Sequence, residues 1–220
     1  MSYRNQPRGA DGRWIKGKAA GGVVGAALVA GLMAAAGGGD VTASVGAALD
    51  TAVSQSTVDA ETASSRQAAA KGDETGAWQR MGLKELKKPI KRELRCAVQS
   101  FGQVQQFFLR HPCDKLDQLL FVVGDAQGDT IVGTVMWVKM PSKSAAAEFR
   151  RVEDTYGSGD VTPLGTEVLE LGGVRFTGKH YKSRPDGSLV VVAETEPVRG
   201  RPSNTLLKEV ATVADVLPPP

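Results

Sequence analysis

The chain has 220 residues and a net charge of +3, and nine of its twelve aromatic residues lie beyond residue 95. A core can form only where large apolar side chains are available, so the composition predicts one domain of about 125 residues in the C-terminal part. Residues 96–220 carry thirteen Lys and Arg against fifteen Asp and Glu. A domain so close to neutrality argues against a nucleic-acid partner.

Residues 19–36 contain no charged residue and consist mainly of Ala, Gly, Val and Leu. A helix of this length spans about 27 Å, which is enough for the apolar core of a bilayer. Five basic residues precede the segment, and no Lys or Arg occurs in the twenty residues after Gly39. By the positive-inside rule, residues 1–18 are predicted to be a cytoplasmic basic tail and the residues after Gly39 to lie outside. We expect residues 19–36 to be a single-pass anchor in the cell membrane.

Two other interpretations of residues 19–36 stay open. A basic start, an apolar run and small residues at 34–36 also fit a cleaved signal peptide, in which case the protein is secreted. Runs of Ala and Gly also occur in low-complexity tails. Anchor and signal both predict export, and they differ only in whether the segment is retained.

The next two segments differ sharply in composition. Residues 37–77 are rich in Ala, Ser, Thr and Asp, which cannot bury enough apolar surface to offset chain entropy, so we predict a disordered spacer. Residues 78–95 carry seven Lys and Arg against two acidic residues, and we predict a basic linker helix interrupted near Pro89. This helix is either a patch for anionic lipid or polymer or a solvated lead into the domain.

Cys96 and Cys113 are the only cysteines of the chain, and in an exported protein such a pair is a disulfide candidate. One continuous helix over residues 89–110 would keep the sulfurs apart, because three residues cannot return along about 21 Å of helix. The sequence "SFGQ" offers another start, a capping box with Ser100 as the cap. A helix at 101–110 then lets the sulfurs meet, and we expect a disulfide that stabilises the domain by about 3 kcal/mol.

The remaining segments alternate between strand-like and helical patterns. Apolar runs on either side of "AQGD" predict a hairpin with Phe121 and Trp137 in the core, and "PDG" joins a second hairpin. Two further helices are predicted, one with Ser142 or Ser144 as its cap and one with Ser203 or Asn204 as its cap, and a short strand is predicted near residues 167–171. We expect an α+β domain over residues 96–217, in which an antiparallel sheet of four to five strands packs against two to three helices on one face.

The chain contains no hydrolase, P-loop, dinucleotide-binding or metalloprotease motif, and we predict no cofactor, no metal and no catalytic residue. Glu194 and Glu196 share one face of a predicted strand, which fits either paired acid–base groups or a solvent-facing edge. Alternation predicts that His180 points inward as a hydrogen-bonded core residue.

Basic side chains occupy the outer face of the predicted strand in "GVRFTGKHYKSRPDG". Such a face would hold an anionic ligand or partner, and the alternative is a solvated surface balanced by nearby acids. The candidate binding residues are Arg175, Lys179, Tyr181, Lys182 and Arg184.

The stretches "SFGQVQQFFLRHPC" and "VRFTGKHYKSRPDGSLVVVAETEPVRGRP" resemble uncharacterised exported or membrane-anchored actinobacterial proteins. These are similar in having a basic N-terminus, one apolar segment, a low-complexity spacer and a small C-terminal α+β domain. The resemblance covers residues 96–220, and it implies export and the Cys96–Cys113 pair but no catalytic residue.

Together these features predict a non-enzymatic binding or positioning module, anchored by one span at the cell envelope and facing an envelope protein or an anionic surface polymer. Two alternatives stay open: a subunit of an envelope machine for conjugation or secretion, and an exported hydrolase or transferase. The latter would need a pocket in which distant residues converge, namely His180, Glu194, Glu196 or Asp160. The sequence predicts no oligomeric state.

Overall fold

The computed structural model describes residues 57, 59–155, 157–165, 171 and 173–220. The predicted anchor at 19–36 and most of the strand predicted near residue 167 lie outside these residues. Within them, no helix has both the length and the apolar character needed to span a membrane. In chain order the elements are α1 (59–70), α2 (Glu74–Arg80), β1 (Lys84–Leu94), α3 (Gly102–Arg110), β2 (Lys115–Gly124), β3 (Thr130–Lys139), α4 (Lys143–Glu153), β4 (Tyr181–Asp186), β5 (Leu189–Arg199) and α5 (Asn204–Ala214).

The strands of the described chain form one five-stranded antiparallel sheet in the order β1-β2-β3-β5-β4. Both predicted hairpins are confirmed. The first joins β2 to β3, and the second joins β4 to β5 through a turn at Gly187, whose φ of 62° is one that glycine adopts readily. The α+β class and the antiparallel sheet are therefore as the sequence predicted, with β1 and β4 as the two edges.

Helices cover both faces of this sheet, and the predicted arrangement of two to three helices on one face is wrong. The central strands are buried at odd and even positions alike, so each face needs a cover. On one face, α1, α2 and α5 enclose a cluster that contains Trp78, Phe121 and Trp137. On the other, α3 and α4 enclose a cluster around Phe108 and Phe149. We call these the α5 face and the α3 face.

The folded part of the chain begins well before residue 96, in contrast to the predicted spacer. Helix α1 buries Ala68 and Ala69 against the α5 face, and its Arg66 forms an ion pair with Asp215 at 3.0 Å. Small alanine side chains allow two helices to approach closely, so a segment without aromatic residues still contributes to a core once a partner surface exists.

Residues 84–94 form the edge strand β1 and not the predicted basic linker helix. The backbone of β1 pairs with β2 from Lys84 opposite Gly124 to Leu94 opposite Leu116, with register shifts on either side of Lys87. Pro89 is compatible with this strand, because an edge strand needs no ladder hydrogen bond on its outer side and bulges accommodate proline.

The predicted disulfide is present, and Cα of Cys96 lies 6.3 Å from Cα of Cys113. Helix α3 also begins and ends within one residue of the predicted range. The capping box is wrong, because the Ser100 hydroxyl donates to the Cys96 carbonyl at 2.7 Å and no side chain caps α3. The carbonyl of Ser158 takes the cap's place by accepting from the N–H groups of Gln103 and Val104.

Candidate functional site

Three of the residues named for the hydrolase alternative lie close together beside the C-terminal half of β5. Glu194 and Glu196 of β5 and the adjacent His180 are between 2% and 6% exposed. Nδ1 of His180 lies 3.9 Å from Oε2 of Glu196 and 3.2 Å from the carbonyl oxygen of Thr195. A carbonyl oxygen can only accept, so Nδ1 carries a proton in this arrangement. The burial of His180 agrees with its predicted inward orientation.

The two carboxylates hold a loop over this end of the sheet. The N–H of Thr177 donates to Oε1 of Glu196 at 2.9 Å, and the Thr177 hydroxyl donates to the same oxygen. The N–H of Gly178 donates to Oε1 of Glu194. Unlike a helix or a strand, a loop has no regular set of carbonyls for its N–H groups, so buried side-chain acceptors satisfy them here. We call Glu194, Glu196 and His180 the loop clamp.

The loop clamp also reaches α5, since Nε2 of His180 lies 3.0 Å from Oδ1 of Asn204. Asp160 takes part in a different contact, in which its carbonyl accepts from the N–H of Phe101. No hydrogen bond or ion pair within the described part of the chain joins Asp160 to the clamp. Acid–base catalysis requires carboxylates that a substrate can reach, whereas Glu194 and Glu196 are covered by the loop whose N–H groups they accept. The geometry supports a structural role for these side chains.

The predicted binding residues Arg175, Lys179, Tyr181, Lys182 and Arg184 are distributed over separate environments. Arg175 and Lys179 are exposed in the loop, whereas the Tyr181 side chain is buried. The Tyr181 hydroxyl donates to a carboxylate of α4 at 2.7 Å. The prediction assumed one long strand, but pairing with β5 begins only at Tyr181, so alternation does not apply to the residues before it.

Lys182 and Arg184 lie near the buried carboxyl of Asp215, at the end of α5. The Arg184 guanidinium donates to the Asp215 carbonyl at 3.0 and 3.1 Å. Burial raises the pKa of the Asp215 carboxyl, although Arg66, Arg184 and Lys182 act in the opposite direction. These cations therefore join α1, β4 and α5 around one buried acid.

A cationic strip lies along β1, which sequence reasoning had placed on a helix. Residues 84–95 carry six Lys and Arg against two Glu, whereas residues 59–220 carry 22 against 21. Lys84, Arg92 and Arg95 are exposed, and none has an ion-pair partner among the described residues. We call these three residues the cationic edge.

Exposed apolar side chains concentrate in the segment that the disulfide closes. Four large apolar side chains of the described residues are exposed, and three lie between the cysteines: Val98 at 76%, Phe101 at 54% and Leu109 at 62%. Phe101 directly precedes α3 and Leu109 lies in its last turn, and both side chains are exposed. Between them, Gln105 donates to the Ala97 carbonyl at 3.0 Å, which holds the turn that carries Val98 alongside. We call Val98, Phe101 and Leu109 the apolar tip.

One end of the cationic edge, at Arg95, lies next to the disulfide-closed segment that carries the apolar tip. Leu94 packs against the cluster beneath α3, and Arg92 lies on the same side of β1 because alternate residues of a strand share a face. Arg95 directly precedes the first cysteine. A cleft of about 330 Å³ between the end of β1 and the disulfide has Arg95, Phe108 and Lys115 among its lining residues. Arg92 and Arg95 thus lie toward the end of β1 that leads into the disulfide-closed segment, whereas Lys84 lies at the other end of the strand, opposite Gly124.

Comparison with protein-family models, with curated proteins and with solved structures finds no match to this chain. Within the part of the chain that the structure describes, no group of three or more His, Cys, Asp and Glu side chains is placed to hold a metal ion. The loop clamp, the cationic edge and the apolar tip are therefore the features of the molecule that bear on its function.

Proposed function

We propose that the protein is a non-enzymatic binding and positioning module at the cell envelope, with residues 19–36 as a single-pass anchor and the domain outside. In this proposal the cationic edge binds a phosphate-rich anionic surface. The observation that carries it is the placement of six Lys and Arg within residues 84–95, on an edge strand of an otherwise charge-balanced domain. Attractions between such a row and a polyanion add up, and binding releases counterions.

Two further observations support an extracytoplasmic position. The uncharged run at 19–36 has basic residues on one side only, which favours an N-terminus in the cytoplasm. The Cys96–Cys113 disulfide is of a kind that persists in oxidising compartments. Only 22 residues separate position 36 from position 59, so the domain would stay within about 75 Å of the membrane.

The topology is tested by adding protease to intact spheroplasts that carry the full chain with an N-terminal tag. We expect removal of the domain from outside, while the tag and the basic tail stay protected until detergent is added. Protection of the domain, under conditions that digest an extracytoplasmic control protein, would contradict the proposed orientation.

The binding surface is tested with two matched double variants of the full chain in zwitterionic detergent, with labelled polyphosphate as the probe. Lys84→Glu with Arg92→Glu changes the cationic edge, and Arg175→Glu with Lys179→Glu makes the same charge change in the exposed loop. At low salt we expect the edge pair to weaken binding by about tenfold or more and the loop pair by less than about twofold. Equal losses would indicate a general effect of net charge, and a larger loss from the loop pair would move the site to the loop.

A further inference from the structure

We infer that the apolar tip inserts into an anionic lipid bilayer, so that the partner of this surface is the membrane itself. The inference rests on the proposed function, because that proposal keeps the domain close to the extracytoplasmic surface of the cell membrane. Its chemistry comes from the exposed side chains Val98, Phe101 and Leu109. It deepens the proposed function by naming the source of the phosphate groups.

The tip is built on a rigid base. The inner side of α3 is held by Val104, Phe107 and Phe108, all of them buried, and the disulfide closes the segment at both ends. Side chains on such a base lose little conformational freedom when they enter a new environment, so their transfer from water into an apolar layer is favourable. Apolar side chains grouped on one outer surface are a feature of interaction sites.

The charges around the tip favour a bilayer over other occupants. Arg110 follows Leu109 at the end of α3 and is exposed, and the exposed Arg95 lines the cleft beside the disulfide that closes the tip segment. Apolar residues that enter the boundary between headgroups and acyl chains leave flanking arginines at the height of the phosphates. A purely anionic polymer offers no apolar layer for Phe101 and Leu109. A second copy of this surface would bring the same cations together, which is unfavourable.

The depth of the tip can be measured with a tryptophan reporter in the full chain, reconstituted in nanodiscs. Leu109→Trp places the reporter at the tip, and Thr205→Trp is the matched control, because Thr205 is exposed on α5, across the sheet. Both variants carry Trp14→Phe to lower the background, while the buried Trp78 and Trp137 stay. The discs contain lipids brominated near the headgroup end of their chains and are either anionic, with phosphatidylglycerol, or wholly zwitterionic.

We expect the Leu109→Trp emission to shift to shorter wavelength in anionic discs and to be quenched by about twofold, consistent with shallow insertion. Quenching should be weaker in zwitterionic discs, and adding Lys84→Glu with Arg92→Glu should lower it in anionic ones. The Thr205→Trp control should be unaffected by either lipid.

Unquenched Leu109→Trp emission in anionic discs would overturn the inference, and so would equal quenching of the Thr205→Trp control. The polyphosphate experiment then distinguishes a failure of the bilayer insertion from a failure of the proposed function. If the edge pair still weakens polyphosphate binding, the proposed function stands without the bilayer as partner of the tip. If the edge pair has no effect there either, the proposed function fails as well.

Discussion

The two faces of the sheet are closed by different physical means. Three helices cover the α5 face, and the buried cluster beneath them is apolar. Two helices cover one end of the α3 face, while the loop that contains Thr177 and Gly178 covers the other. Helices satisfy most of their own backbone groups, whereas this loop requires acceptors from the strand below it. The buried carboxylates on β5 are therefore explained by the need of the covering loop for hydrogen-bond acceptors, and they do not require a catalytic role.

Shape matters most on the α5 face. Gly133 of β3 has no side chain, and the ring of Phe121 occupies the space where a Cβ would be. The same ring stacks on Trp78 with 5.1 Å between ring centroids. This contact thus depends on the missing side chain of Gly133 and the large ring of Phe121, and no hydrogen bond is part of it.

The largest effect is expected when volume is removed from the α5 face. Phe121→Ala should lower the free energy of unfolding by about 4 kcal/mol, because a cavity would replace a fully buried ring. Urea denaturation measures the change. Phe101→Ala removes the same atoms from an exposed position and should change stability by less than about 0.5 kcal/mol. Similar losses of unfolding free energy for both variants would show that the packing of Phe121 on the α5 face contributes no more to stability than an exposed side chain does.

A smaller effect is expected at the loop clamp, where the hydrogen bonds should matter more than the volume. Glu196→Leu fills similar space but leaves the Thr177 N–H without an acceptor, and we expect a loss of about 3 kcal/mol. Glu196→Gln keeps an acceptor and should cost about 1 kcal/mol. Thermal or urea unfolding compares the pair, with the exposed Glu148→Leu as control. Equal losses for Leu and Gln would mean that the clamp acts through packing.

The smallest effect concerns the buried acid at the edge of the α5 face. Because burial raises the pKa of Asp215, the folded state holds the proton more tightly than the unfolded state does. Its contribution to stability is therefore complete below about pH 4, the ordinary carboxyl value, and is lost as the pH rises through the raised pKa. The contribution of Glu209 to stability is lost in the same direction, as the pH rises, since burial and then Asp59 and Glu61 raise its pKa.

Asp215→Asn separates the effect of Asp215 from that of Glu209, since Glu209 is present in both the wild type and the variant. Measured by urea unfolding between pH 4 and pH 7, the stability of the wild type should fall relative to that of Asp215→Asn as the pH increases. The exposed Asp114→Asn makes the same chemical change away from Arg66 and Arg184 and serves as control. A difference between wild type and Asp215→Asn that is constant or reversed would contradict the assignment.

Local sequence patterns predicted much of the fold. The hairpin turns, the disulfide and the N-terminal caps of α4 and α5 depend on residues that are close along the chain, and the structure contains each of them. Of the two candidates at each cap, it has Ser142 and Ser203. The same patterns did not predict the loop clamp, because its bonds join residues 177 and 178 to β5 across a turn. A signal was present: two glutamates follow the apolar run of β5, where a solvent-facing edge was an equally good interpretation.

By itself, the sequence determined the class of the domain, its central strands and the closure of its cysteine pair, because these depend on spacing over a few residues. Only the tertiary structure decided what "KELKKPIKREL" becomes. Its apolar residues fit a helix, its alternation fits a strand, and the unpaired edge of β2 selects the strand by pairing with its backbone. That choice places the cations on a sheet edge, and it depends on pairing with β2, whose residues lie more than twenty positions farther along the chain.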